Sequence, residues 1–440
     1  MSSSHHYPAA LTITPFTGTL NVTVDVPGSK SLTNRAMVLA AMSPRCTLTG
    51  ALQSEDTEVM IDCLRRLGWQ VTEAWGKQEV TVERIDANHD SKIPKTNAEL
   101  FVGNSGTTIR FLTAMLALGN GHYRLDGIPR MRERPIGDLL DGLTQLGVNA
   151  RSEADTGCPP VVLEAHGLKG GRVSVRADKS SQFLSGLLLA LPFAEADTEV
   201  TITGPLVSEP YIAMTLSLLR QCGLSVEVQD GGRTYRVPGR QTFIGGSIAI
   251  EPDASSASYW FAAAAITGGR VTVSNLTRES LQGDVAFVDC LEKMGCRVEV
   301  CDQGITIHGR PLHGIDVDMN AISDTVMTLG VIAVFATGPT TIRNVGHIRH
   351  KETDRLSALA TELRRLGIGV EETEDSITIN PGPVRPAAVE TYNDHRMAMS
   401  LALAGLKSPG VTVKNPGCVV KTYPGFWNDF DRWLSPTVPT

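Results

Sequence analysis

Five times along this chain a phrase of the form Leu-x-x-x-Gly closes one element and opens another. The copies are Leu64-Arg-Arg-Leu-Gly68, Leu143-Thr-Gln-Leu-Gly147, Leu219-Arg-Gln-Cys-Gly223, Leu291-Glu-Lys-Met-Gly295 and Leu363-Arg-Arg-Leu-Gly367. The glycines lie 72 to 79 residues apart. Each suits the left-handed position after a helix C-terminus, and branched residues such as Val71, Val226, Val298 and Val370 then start a strand. A second series has six copies in which a Val/Thr/Ile strand runs into a turn: Thr47 to Gly50, Tyr123 to Gly127, Val200 to Gly204, Val271 to Asn275, Thr341 to Asn344 and Val411 to Asn415. Gly closes the first three and Asn the last three, both residues that tolerate positive φ. The chain therefore divides into two sets of three units, and two similar domains are expected. Units this long exceed the roughly 20 to 45 residues of solenoid repeats.

Helix starts recur at a matching spacing, at Ser29-Lys-Ser31, Asn104 to Thr107, Lys179-Ser-Ser181, Ala254-Ser-Ser256, Ser323-Asp324 and Asn393-Asp-His-Arg396. The Ala-, Leu- and Met-rich runs behind them read as buried helices, and the Arg-rich helices of the first series as surface ones. The fold class is thus α/β, each unit a sheet with one buried and one exposed helix.

At 440 residues the chain exceeds what a single core usually supports, which agrees with two domains. Its apolar runs, such as 183–194 and 327–336, are broken by Gly, Ser, Thr or Pro and fall short of the roughly 20 residues of a membrane span. The first ten residues lack a basic segment followed by an apolar one, so a bacterial cytoplasmic location is expected. Eight scattered cysteines without a C-x-x-C pair read as reduced thiols, neither disulfides nor metal ligands. A net charge of −7 argues against nucleic acid as a partner and leaves anionic small molecules open. The segment from Ser435 to Thr440 is expected to fray.

Helix N-termini favour phosphate and carboxylate groups. Lys30 and Arg35 sit at the first such end, Arg110 follows the second, and His395 and Arg396 mark the sixth. Arg130, Lys351, Arg355 and Lys421 lie just beyond turns of the strand series. A random Lys or Arg is usually a solvated surface cation, but the shared phase of these residues within the repeat argues for a common anion site. Gly28-Ser-Lys-Ser31 is not a P-loop, because Ser29 separates the glycine from the lysine. His347, His350 and Glu352, or His395 with Asp394, lack the spacing of a metal motif.

The motifs Pro27 to Arg35, Asn104 to Arg110, Pro129 to Pro135, His350 to Arg355 and Tyr392 to Met399 together resemble those of the 5-enolpyruvylshikimate-3-phosphate synthases, an enolpyruvyl transferase family. Lys179 to Phe183, Val207 to Tyr211, Asp253 to Tyr259 and Cys418 to Pro424 extend the similarity, in the family's order, over nearly the whole chain. The resemblance implies a two-domain inside-out α/β barrel of six β-α-β-α-β-β repeats, three per domain. Residues 29–249 would form the N-terminal domain, mainly binding shikimate 3-phosphate. Residues 1–28 and 250–440 would form the discontinuous second domain, with the active site in the cleft between the two.

It further implies that Lys30, Ser31, Arg35, Ser180, Ser181, Gln182, Ser208, Tyr211, Asp324 and Lys351 bind shikimate 3-phosphate. Lys30, Gly106, Arg130, Gln182, Arg355, Arg396 and Lys421 would surround phosphoenolpyruvate. Asp324 would take the proton of the 5-hydroxyl, Glu352 would protonate the methylene carbon, and Lys30 and His395 would assist. Apart from catalysis, Asp324 also suits a helix N-cap, and Glu352 a salt bridge to Arg355 or Arg349. No cofactor and no metal are expected, and the resemblance implies a monomer that glyphosate inhibits. The two substrates together carry roughly −5 to −6, which suits an Arg- and Lys-lined site. His347 stands where many relatives carry Asn, so its contact is left open. The rival readings are the sister enzyme that acts on UDP-N-acetylglucosamine, whose loop Cys acid has no counterpart at Cys418, and a non-catalytic phospho-ligand-binding repeat protein.

Overall fold

The computed structural model describes residues 7–85 and 91–434, so the segment 435–440 expected to fray lies outside the described residues. The chain divides into two compact units, one running from Gly28 to Ile250, the other joining the residues up to Pro27 with those from Glu251 onward.

β1 (Ala10–Thr12) and β2 (Asn21–Val24) come first. The Gly28–Ile250 unit opens with α1 (Lys30–Ala41), β3 (Arg45–Thr49), α2 (Glu55–Arg66), β4 (Trp69–Ala74) and β5 (Glu79–Arg84). Its second repeat is β6 (Asn97–Phe101), α3 (Gly106–Leu116), β7 (Asn120–Asp126), α4 (Gly137–Gln145), β8 (Asn149–Ser152) and β9 (Val161–His166). The third is β10 (Gly171–Ala177), α5 (Gln182–Ala190), β11 (Thr198–Leu206), α6 (Pro210–Gln221), β12 (Glu227–Gln229) and β13 (Thr234–Val237), followed by β14 (Gly246–Ala249).

The other unit continues with α7 (Ala254–Thr267), β15 (Arg270–Ser274), α8 (Phe287–Lys293), β16 (Arg297–Cys301) and β17 (Gly304–His308). Next come β18 (Asp316–Asp318), α9 (Val326–Ala333), β19 (Thr340–Arg343), α10 (Arg355–Arg365), β20 (Gly369–Glu372) and β21 (Ile377–Asn380). The last repeat holds β22 (Ala387–Val389), α11 (His395–Ala402), β23 (Val411–Lys414) and α12 (Phe426–Leu434).

Every complete repeat makes the same sheet. Its first strand lies parallel to its second, which pairs antiparallel with the fourth, and the third takes the edge, as in the order β6-β7-β9-β8. Two repeats take their leading strand from a distant part of the chain. β14 lies parallel to β3, with Gly246 opposite Cys46, and β2 lies parallel to β15, with Asn21 opposite Arg270. Among the described residues the sixth sheet has three strands rather than four, and β1 completes it, antiparallel to β23 with Leu11 opposite Val413.

The helix-ending glycines behave as their chemistry requires: Gly68, Gly147, Gly223, Gly295 and Gly367 all have φ between 75° and 109°. Of the six strand-ending residues, Gly50, Gly204, Asn275, Asn344 and Asn415 also have positive φ. Gly127 does not. A Cβ there would lie 2.3 Å from the Gly103 carbonyl oxygen and 2.8 Å from Met131, so this glycine provides room and not a left-handed turn. The second and fourth strands of three sheets are joined at equivalent places by cross-strand threonine pairs, Thr47 with Thr81 (2.9 Å), Thr272 with Thr306 (2.8 Å) and Thr341 with Thr378 (3.0 Å), and in the sixth sheet Thr412 meets Thr12 of β1 (2.9 Å).

α3 is buried along its whole length, α7 from Ala254 to Ile266 and α9 throughout, whereas α2 and α10 bury one face. Burying each Leu, Ile or Phe of these helices contributes about 1.5 to 3 kcal/mol. Among these helices α10 carries Arg355 at its first position.

Candidate active site

In the Gly28–Ile250 unit the expected residues lie at three helix starts. Ser29 precedes α1 and its Oγ accepts from the Leu32 amide at 3.4 Å, leaving Lys30 in the first turn. Lys30 Nζ lies 3.2 Å from the buried carboxylate of Asp56. Gly106 opens α3 and Gln182 opens α5. Ser180 Oγ accepts from the Gln182 amide at 3.2 Å, and the Gln182 side-chain oxygen accepts from Arg110 Nη1 at 2.7 Å. Ser181 and Ser208 are buried, Ser208 with φ of 52°, and the Tyr211 amide donates to the Ser208 carbonyl at 3.1 Å.

Two buried arginines wall Gly106. Arg134 Nη1 donates to the Asn104 carbonyl at 2.8 Å and to its side-chain oxygen at 3.1 Å, and Arg110 Nη2 donates to the Pro135 carbonyl at 2.8 Å. A Cβ on Gly106 would lie 2.5 Å from Arg134 Nη2 and 3.0 Å from Arg110 Nη1. Arg110 also packs over the Phe183 ring at 5.2 Å.

Arg35 is buried, and it braces the helices. Its Nε donates to Thr215 at 2.8 Å, Nη1 to the Ser31 carbonyl at 3.0 Å, and Nη2 to Ser185 at 3.2 Å and the Tyr211 carbonyl at 3.3 Å. The guanidinium stacks on Phe111 at 4.9 Å. Burial pulls its pKa down to about 10, partly opposed by Tyr211, so it stays charged at neutral pH. Arg130 follows β7 and pairs with Glu133 at 2.8 Å.

In the other unit the groups form one network around Arg355, which is 1 % exposed. Its Nε donates to Asp394 at 2.7 Å, Nη1 to Asp324 at 3.0 Å and Nη2 to Glu352 at 2.8 Å. Arg396 Nη2 donates to the second Asp324 oxygen at 2.9 Å, and Lys351 Nζ stands 3.6 Å from Asp324. Burial alone would raise the Asp324 pKa, but Arg396, Lys351 and Arg355 prevail and hold the carboxyl well below the usual range. Asp394 caps α11, accepting from the Arg396 amide at 2.9 Å, and lies 3.7 Å from His395 Nδ1. His395 and Lys421 are buried, Lys421 at the end of a short helical turn (Pro416–Lys421) packed on α11. His347 is buried too, and its pKa falls to about 3 through burial first and then the Lys351 charge.

Asp324 does not cap α9, whose cap position is Thr325; it lies one residue earlier in a 3-10 turn (Ser323–Thr325). Of the two partners expected for Glu352, Arg355 is paired with it, and Arg349 pairs with Asp354 and Glu372. Asp56, Asp394 and Arg134 were missed as site neighbours. Asp394 was legible as a cap residue directly before His395, whereas nothing local in the sequence ties Asp56 to Lys30. With these residues counted, the network around Arg355 holds three cations (Lys351, Arg355 and Arg396) against three carboxylates (Asp324, Glu352 and Asp394), so its formal charges balance. Among the described residues no helix is long and apolar enough to cross a membrane.

A sequence profile of the EPSP synthase (3-phosphoshikimate 1-carboxyvinyltransferase) family matches residues 16–430. The 3-phosphoshikimate 1-carboxyvinyltransferase of Nostoc punctiforme is 48% identical over 417 residues, 94% of this chain and 97% of its own length. The chloroplastic enzyme of that name from Brassica napus is 46% identical, over 92% of this chain and 81% of its own. The solved EPSP synthase of Acinetobacter baumannii superposes with a TM-score of 0.79 at 26% identity, covering 97% of this chain and 98% of that one. The enolpyruvyl transferase NikO from Streptomyces tendae shares the fold, with a TM-score of 0.77 at 22% identity over 96% of this chain and 97% of that one. With the matching profile and near-full-length relatives at almost half identity, the chain belongs to the EPSP synthase family.

Proposed function

We propose that this chain is a transferase that moves the enolpyruvyl group of phosphoenolpyruvate to the 5-hydroxyl of shikimate 3-phosphate. Inorganic phosphate is the second product. The observation that carries the reading is the three-cation grip on Asp324, with Glu352 held on the same Arg355.

Anionic substrates compete with Asp324 and Glu352 for those cations. As phosphate and carboxylate oxygens draw Arg355, Arg396 and Lys351 to themselves, Asp324 loses the charges that depress its basicity and can accept the hydroxyl proton. Glu352 delivers a proton to the methylene carbon of phosphoenolpyruvate, so positive character builds on the neighbouring carbon. The 5-oxygen adds there, its proton passing to Asp324, and a tetrahedral intermediate forms. Loss of a methyl proton and of the phosphate group then gives the enol ether.

Lys30, Ser31, Arg35, Ser180, Ser181, Gln182, Ser208 and Tyr211 bind shikimate 3-phosphate in this reading, joined by Asp324 and Lys351. Arg35 acts by holding α1 against Thr215, Ser185 and Tyr211. Lys30, Gly106, Arg130, Gln182, Arg355, Arg396 and Lys421 receive phosphoenolpyruvate, and His395 helps balance the charge of the departing phosphate. Residues 29–249 serve mainly the first substrate, while residues 1–28 and 250–440 supply the carboxylates. The enzyme works as a cytoplasmic monomer and glyphosate inhibits it.

The test is phosphate release from phosphoenolpyruvate, with shikimate 3-phosphate and separately with UDP-N-acetylglucosamine. Release with the first acceptor alone is the expected result. Release with the second, or with neither, overturns the assignment.

A further inference from the structure

The segment that leads into α11 is held in an unfavourable backbone shape. Tyr392 and Asn393 are consecutive non-glycine residues with φ of 55° and 54°, and Asp394 follows directly. Asn393 tolerates that region, but an aromatic residue such as Tyr392 rarely adopts it, and the pair persists only where the surroundings impose it.

The surroundings here centre on Glu362, a fully buried residue of α10. One carboxylate oxygen accepts the Tyr392 hydroxyl at 2.7 Å, and the other accepts the Glu390 amide at 3.0 Å and lies 2.8 Å from Arg365 Nε. Asn415 Nδ2 donates to the Asn393 side-chain oxygen at 3.1 Å, and the Asp394 amide donates to the Thr391 carbonyl at 2.9 Å. Beyond this clamp the chain of bonds runs through Asp394 to Arg355, and from Arg355 to Asp324 and Glu352. Glu362 touches neither reacting carboxylate, yet both depend on the arginine whose anchor it fixes.

We propose that Glu362 is a positioning residue for the transfer reaction: by pinning Tyr392 and the Glu390 amide it imposes the left-handed pair that sets Asp394, and so orients Arg355 beneath Asp324 and Glu352. The inference rests on the function proposed above. A buried carboxylate of this kind could simply stabilise the fold, so the test has to separate geometry from stability.

Tyr392→Phe removes one hydroxyl and keeps the ring. Its kcat is expected to fall about tenfold, within the range that sub-ångström to ångström misplacement produces, with both KM values within about twofold. Nitrogen-15 NMR of the arginine side chains provides a readout that does not require turnover: the Arg355 Nε–H signal, bonded to Asp394, should move or broaden in the variant. Glu362→Gln keeps one acceptor oxygen and should fall between wild type and Glu362→Ala in both measurements. If Tyr392→Phe keeps wild-type kcat, or only its melting temperature falls while the Arg355 signal stays in place, the proposal is wrong. Failure of the wild-type protein to turn over would sink the functional reading instead, and the Arg355 signal would still decide the positioning role.

Discussion

Arg355 and Asp394 meet fork to fork inside their unit, Nε at 2.7 Å from one carboxylate oxygen and Nη2 at 3.3 Å from the other, with neither side chain more than 1 % exposed. Asp394 is at once the cap of α11 and the main counter-charge of a buried guanidinium.

Asp394→Ala should therefore cost stability as well as activity. Arg355 would keep Asp324 and Glu352 but lose its two-pronged partner, a loss bounded above by the about 3 to 5 kcal/mol of breaking a buried pair outright, and loss of the cap adds roughly 1. Urea unfolding of the variant should show a loss of about 2 to 5 kcal/mol; a loss under ~1 kcal/mol would show that the pair is not structural.

The two proposed reacting carboxylates should behave differently from Asp394. Asp324→Asn and Glu352→Gln keep the side-chain shape and one acceptor oxygen, so folding is expected to survive while kcat falls by about two to four orders of magnitude. Circular dichroism together with phosphate release checks both halves of the statement, and near-normal turnover in either variant removes that residue from its role.

Gly106 faces two arginines at distances where a methyl group cannot sit without displacing one of them. Gly106→Ala should raise KM for phosphoenolpyruvate while changing KM for shikimate 3-phosphate little. The same displacement should weaken inhibition by glyphosate, to which the wild-type chain is expected to be sensitive. Inhibition curves of the two proteins provide the comparison, and identical curves would contradict the account.

His347 gives the clearest pH signature. Its folded pKa is near 3 against an ordinary value of 6.5, so above about pH 6.5 it is neutral in both states and contributes nothing to pH dependence. As pH falls below that, the unfolded chain binds a proton that the folded chain refuses. Stability is then lost at up to about 1.4 kcal/mol per pH unit until the folded pKa is reached. His347→Gln should flatten the curve between pH 6 and 4. Asp324 acts lower: its depressed pKa stabilises the fold above about pH 4, and that contribution disappears as pH falls through the folded value. Denaturant midpoints measured at half-unit pH intervals would reveal both effects, and parallel curves for wild type and His347→Gln would refute the first.

Spacing alone revealed the repeats because glycine and asparagine mark positions that few other residues can occupy. Gly127 shows the limit of that argument: its place in the series is right, but the cause is the close approach of Gly103 and Met131, which no local pattern discloses. Of the candidate residues, Lys30 and His395 were legible at helix starts, whereas Gly106 and Gln182 came only with the family resemblance; all four occupy a first helical position. What could not be read was the set of partners. Asp56 meets Lys30, Arg134 walls Gly106, and Arg35 spends its donors on Thr215, Ser185 and two carbonyls, because packing joins residues that sequence keeps far apart. The sixth sheet is similar: its third described strand is β1, whose Thr12 meets Thr412.

That last pairing bears on how the protein is made. Thr12 and Thr412 are separated by 400 positions, so β1 leaves the ribosome long before its partner exists. At about 5 to 20 residues per second the wait is roughly 20 to 80 s. The 28–250 unit can finish its three sheets during that interval, since β14 arrives with its own last residues. β1 and β2 must stay unpaired until later segments emerge, and a synthesis stalled between residues 250 and 400 would expose strand edges that the finished molecule covers.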